Sequence, residues 1–106
     1  MTTETIGCVK AATKILGDKW TPQLLRFFVN EDAVRFCQIQ DLVEGINPRT
    51  LSARLDSLEK EGIIEKIFPA DKARCEYRLT QKGKKLTPIL RDMEAWSNRY
   101  SATQVV

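Results

Sequence analysis

Arg49, Thr50, Ser52, Ala53, Arg54 and Ser57 are the side chains of this sequence best suited to chemistry, and that chemistry is recognition rather than bond-making. An arginine can donate two parallel hydrogen bonds to a phosphate or to the major-groove edge of guanine. Small hydroxyl side chains let a helix backbone come close to a second surface. Such a set works only if one face presents it, and residues 47–64, NPRTLSARLDSLEKEGII, supply the frame. Asn47 can accept from the orphan amides of a helix start, Pro48 suits the first helical position, and Gly62 is placed to end the helix. Leu51, Leu55 and Leu58 recur at i, i+4 and i+7 as a narrow apolar stripe, which leaves the polar and basic set on the opposite side. No acid lies between Asn47 and Asp56, whereas Arg49, Arg54 and Lys60 are balanced by Asp56, Glu59 and Glu61 over the whole helix. Only its first half is therefore expected to face a polyanion.

Bond-making chemistry is poorly provided for. The chain has no histidine for general-base work, no glycine-rich phosphate loop and no motif pairing a nucleophile with a base, which argues against an enzyme. Three cysteines without histidine or a Cys-Xaa-Xaa-Cys pair do not make a closed zinc site, so neither metal nor cofactor is expected. The odd count also argues against structural disulfides. Cys75 falls on the inward side of a strand pattern and is assigned to the core. Cys37 falls at a helix start.

At 106 residues the chain reads as one domain, 1–106, too short to carry a separate ligand-binding domain. Its 42% hydrophobic and 29% charged residues are those of an ordinary globular protein. No apolar run approaches the roughly 18 residues of a membrane span, and the first residues lack a basic and an apolar region in succession. A cytoplasmic protein with no membrane partner is expected. The net charge of +3 is small, but lysine and arginine outnumber acids by 8 to 2 in residues 66–91 against 8 to 10 in residues 1–65. A second DNA-contacting element would be useful in that later segment, just after the Asn47 helix.

A first helix is expected over residues 6–16, stopped by Gly17, and a second over residues 22–29 with Thr21 and Pro22 at its start and Leu24, Leu25 and Phe28 in the core. Phe36, Ile39, Leu42 and Val43 are spaced for a third, short helix ended by Gly45. Only residues 44–46 then separate it from the Asn47 helix, the tight turn a helix-turn-helix requires. Beyond Gly62 the pattern turns extended. Ile63, Ile64, Ile67 and Phe68 form one strand, and Cys75, Tyr77 and Leu79 alternate against Glu76 and Arg78 in another. The charged loop between them places Lys72 and Arg74 near the tip of a hairpin. The fold class is thus mainly α with a small β-hairpin, a winged helix-turn-helix.

Thr80 can cap a last helix in which Leu86, Ile89, Leu90, Met93, Trp96 and Tyr100 make a broad apolar face, with Pro88 kinking or dividing it near Thr87. A face of that size extends beyond what a small core needs and makes a candidate dimerisation element, the alternative being that it packs back on its own domain.

The pieces Leu16-Gly17-Asp18-Lys19-Trp20-Thr21, Ile46 to Leu55, Leu58-Glu59-Lys60-Glu61-Gly62 and Glu76-Tyr77-Arg78-Leu79-Thr80, with Cys8 near the start, resemble the HxlR-type winged helix-turn-helix transcriptional regulators of bacteria. The resemblance runs from about Cys8 to Trp96. It implies a homodimer held by its first and last helices, each recognition helix reading one half-site of a palindromic stretch of double-stranded DNA. Carried over residue by residue, the DNA contacts are Pro48, Arg49, Thr50, Ser52, Ala53 and Arg54, with Lys72 and Arg74 on the wing. Cys8 matches the N-terminal cysteine of the family, which in some members is a redox- or electrophile-sensing thiol, and the positive charges of Lys10 and Lys14 nearby suit such a role; the alternative is a cysteine that is simply packed or exposed. No small-molecule effector is indicated. The competing reading, a winged helix that docks proteins without binding DNA, leaves the basic wing and the acid-free start of the Asn47 helix unexplained.

Overall fold

The computed structural model describes residues 6–70 and 74–101. Their elements follow in the order α1 (Lys10–Leu16), α2 (Thr21–Asn30), α3 (Phe36–Leu42), α4 (Pro48–Lys60), β1 (Ile64–Ile67), β2 (Glu76–Leu79), α5 (Gln81–Lys84) and α6 (Thr87–Tyr100). Leu24, Leu25 and Phe28 of α2, Ile39 of α3 and the Leu51, Leu55 and Leu58 stripe of α4 meet in one core, closed by Ile63, Ile64 and Tyr77 of the hairpin region.

Several elements differ from the sequence reading at their edges. α1 begins at Lys10 rather than residue 6, with Val9 at its cap position and the Cys8 sulfur accepting the Lys10 N–H at 3.4 Å. Thr21 is the first residue of α2 rather than its cap, because the Asp18 carboxylate takes that part: Oδ1 accepts the N–H groups of Trp20 and Thr21 at 2.8 and 2.9 Å. α3 is closed at its start by Gln38, whose Oε1 accepts the Arg35 N–H at 2.8 Å. It ends at Leu42, which stands exposed while Val43 and Ile46 take the inward positions as the chain turns.

The start and stop of α4 are built as its sequence predicts. The Asn47 side chain accepts the Thr50 N–H at 2.8 Å. At the other end the Gly62 N–H reaches the Glu59 carbonyl and the Ile63 N–H the Leu58 carbonyl, a pair of bonds that needs Gly62 in the left-handed region, at φ +77°. The same geometry turns Ile63 back onto Leu58, and both are buried.

β1 and β2 pair antiparallel, with Ile64 opposite Leu79 and Glu65 opposite Arg78; the latter two form an ion pair at 2.7 Å. Val34 bridges Tyr77 from the far side through two hydrogen bonds of 2.8 Å, so β2 is the inner strand. That arrangement corrects the simple alternation expected for this strand. Tyr77 is buried as predicted and Arg78 exposed, but Glu76 is buried as well, paired on one edge with Ile67 and next to the Val34 bridge on the other. Cys75 is half-buried against the core, and Phe68 falls beyond the strand and is exposed.

The last helix is divided rather than continuous. Thr80 accepts the Gly83 N–H and caps the short α5, the chain turns at Lys85 and Leu86, and Pro88 sits in the first turn of α6, where its missing N–H costs nothing. Gly83 lies so close to the hairpin that a β-carbon there would stand 2.1 Å from the Ile63 carbonyl oxygen.

Candidate nucleic-acid interface

The three buried leucines fix the rotation of α4, and everything else about its surface follows. At 100° per residue, Arg49 and Ala53 fall opposite the stripe, Ser52 to one side and Arg54 to the other. Pro48, Arg49, Ser52 and Ala53 are exposed, whereas Thr50 and Arg54 are half-buried. The structure thus brings Pro48, Arg49, Ser52 and Ala53 together on one open face at the start of the helix. On the wing, Arg74 is exposed; Lys72 lies outside the described residues.

Arg54 has a partner that the sequence reading did not foresee. Its guanidinium stands 3.5 Å from Asp18 Oδ2, the oxygen that also accepts the Thr21 hydroxyl at 2.5 Å. Burial acts to raise the Asp18 pKa, but the hydroxyl and N–H of Thr21, the N–H of Trp20 and the Arg54 charge outweigh it, and the carboxyl ends below its usual range. The next tryptophan fastens the same turn to the helix-turn-helix: the Trp20 ring edge is 3.8 Å from where a β-carbon of Gly45 would stand, and Gly45 itself has φ +88°. A signal for Asp18 was present. A carboxylate three residues ahead of the first helical amide has the spacing of a helix-capping acceptor.

A second link ties α1 to the far end of α4, where Lys14 Nζ lies 3.2 Å from Glu61 Oε2. Lys82 covers the same end, donating to the Glu61 carbonyl at 2.7 Å.

The six apolar residues expected at a subunit interface divide into two groups. Leu86 is buried in the core of its own subunit and Leu90 packs against that core. Ile89, Met93, Trp96 and Tyr100, spaced four, three and four apart, form an outward stripe, with 42, 41, 65 and 58% of their surfaces exposed. The rings of Trp96 and Tyr100 lie 5.2 Å apart within it. Cys8 is exposed just ahead of α1, with Val9 exposed beside it.

A three-helix core with a tight turn into an open, arginine-bearing helix and a hairpin behind it defines a winged helix-turn-helix. The chain belongs to the HxlR-like helix-turn-helix family, which it matches over residues 15–105. It is 36% identical over 90 residues to the HTH-type transcriptional regulator YvaP of Bacillus subtilis (strain 168), covering 84% of this chain and 82% of that one. Its fold is similar to the reduced form of the transcriptional regulator YodB of B. subtilis, with a TM-score of 0.78 at 26% identity over 92% of this chain and 98% of that one. It is similar also to the redox regulator HypR in its oxidised form, with a TM-score of 0.80 at 27% identity over 87 and 95% of the two chains. These are transcriptional regulators, not enzymes.

Proposed function

We propose that the protein is a homodimeric, cytoplasmic transcriptional regulator that reads a palindromic operator, one α4 per half-site. The observation that carries this reading is the outward stripe of α6. Ile89, Met93, Trp96 and Tyr100 are apolar, contiguous and without cover in one subunit, and a single Leu86 turn roots them in the core behind α4. An apolar stripe of this kind on a small soluble chain is a surface for association. A two-fold partner docked there would set two α4 helices on successive major grooves, about 34 to 36 Å apart. Pro48, Arg49, Ser52 and Ala53 face the groove, Thr50 and Arg54 flank it, and the wing residues Lys72 and Arg74 are assigned to the DNA backbone. Phosphate contacts supply most of the affinity and Arg49 most of the sequence preference. The chain is then a single domain whose first and last helices are reserved for the partner.

We further propose that Cys8 is the signal-receiving thiol. It is exposed beside α1, and a relative of similar fold, HypR, is named a redox regulator. Selecting bound duplexes from a random DNA pool and measuring the protein-to-DNA stoichiometry tests the first proposal: two protomers per inverted repeat is the expected result, and one protomer on an asymmetric site would overturn it. For the second, Cys8→Ser should abolish the response of DNA binding to diamide or a quinone. Full responsiveness in that variant would remove Cys8 from the mechanism.

A further inference from the structure

Asp18 and Arg54 are unequal partners. The carboxylate is committed on four sides, to the N–H groups of Trp20 and Thr21, to the Thr21 hydroxyl and to Arg54, and the start of α2 depends on three of them. It cannot follow if Arg54 moves. The guanidinium has five donors and, among the described residues, spends one on Asp18 at 3.5 Å, the long end of a hydrogen bond. With 34% of its side chain exposed, it also borders the face that carries Arg49 and Ala53. A duplex lying on that face brings phosphates to the flank of α4, where Arg54 then has a choice between two anions. One is fixed in the protein and present at all times; the other arrives with the DNA and offers a charge-assisted, two-pronged contact.

We propose that Asp18 is a positioning residue that holds Arg54 in reserve, so that Arg54 transfers to the DNA backbone only when the rest of the recognition face fits. The carboxylate thereby lowers affinity for arbitrary sequence more than affinity for the operator. The proposal rests on the DNA-binding reading of α4 and deepens it by assigning specificity to a residue outside the recognition helix.

The variant that tests it is Asp18→Asn. Asparagine still accepts the Trp20 and Thr21 N–H groups, while its NH2 meets the guanidinium donor to donor and the pair is lost. Binding to a random-sequence duplex should strengthen roughly three- to tenfold at 0.1 M salt, and the slope of log K against log salt should steepen by about 0.9, one added phosphate. Binding to a duplex selected by the wild-type protein should change less, so the discrimination ratio falls. In an Arg54→Gln background the same Asp18→Asn step should leave the slope unmoved, a readout that loss of helix capping or of bulk charge would not give. Asp18→Ser, which keeps a capping oxygen without the charge, should reproduce the steeper slope if Asp18→Asn folds poorly. Equal slopes in wild type and both variants, or the same gain without Arg54, overturn the proposal. Absence of wild-type binding to random duplex at low salt overturns the DNA-binding reading instead, which keeps the two failures apart.

Discussion

α4 and α6 are helices of nearly equal length, 13 and 14 residues, and each has a proline in its first turn and an apolar stripe along one side. Their stripes meet different fates. Leu51, Leu55 and Leu58 are at most 3% exposed, whereas no residue of α6 is buried and its four outward apolar side chains are all more than 40% exposed. A helix whose stripe is satisfied inside its own subunit has its opposite face free and fixed in orientation, which suits it to touching a large, regular partner. A helix whose stripe is left open is the one we propose to be covered by a second subunit. Periodicity alone does not distinguish them, because the hydrophobic effect rewards removal of apolar area from water whichever chain supplies the cover.

The contrast can be broken at either helix. Leu55→Ala should cost about 2 to 5 kcal/mol of folding stability, the usual toll of a cavity at a fully buried leucine, and should do so at every protein concentration in thermal or urea melts. The paired change Met93→Asp and Trp96→Asp should leave the subunit folded while weakening self-association at least a hundredfold, about 2.7 kcal/mol, read by sedimentation equilibrium. An unfolded protein would mean the α6 stripe is a core face after all, and a folded but still dimeric one would place the interface elsewhere. Arg49→Ala should lower discrimination between selected and random duplexes by about 1 to 3 kcal/mol without moving the melting temperature, since its side chain is exposed. The smallest effect is set by pH. The Asp18 carboxyl is held below its usual range in the fold, so its contribution to stability is complete above the unfolded value near pH 4 and fades as pH falls through the lower, folded value. Wild-type melts should therefore lose more between pH 5 and pH 3 than melts of Asp18→Asn, and parallel curves would mean the capping carboxylate is energetically idle.

How far the sequence disclosed all this varies with the kind of signal. α4 was fully legible because local rules agree there: an asparagine cap, a proline behind it, a leucine stripe and a terminal glycine all specify one helix. The division of α6 near Thr87 was legible from Pro88 for the same reason. Val34 was not, since a strand reduced to one bridge has no period to detect. The split of the apolar residues from Leu86 onward, with Leu86 and Leu90 turned to their own core and Ile89 and Met93 away from it, depends on where the short α5 aims the chain. That direction is fixed by the close approach of Gly83 to Ile63, a contact between residues 20 apart in sequence. The Asp18 partnership with Arg54 spans 36 residues and left no trace in either local pattern, although the capping half of the role could have been read from spacing.

The junction around Thr80 has a mechanical meaning. Its hydroxyl donates toward the Gly62 and Ile63 carbonyls just beyond α4 and accepts the Gly83 N–H at the head of the segment leading to α6, so one side chain rivets the end of α4 to the root of α6. In the homodimer proposed above, two subunits joined through α6 would behave as a caliper whose jaws are the α4 helices. The gap between the jaws is then set by the stiffness of this rivet and of the Lys82 contact beside it, and any chemistry that tilts one arm against the other is felt at the jaws as a change of gauge rather than a change of grip.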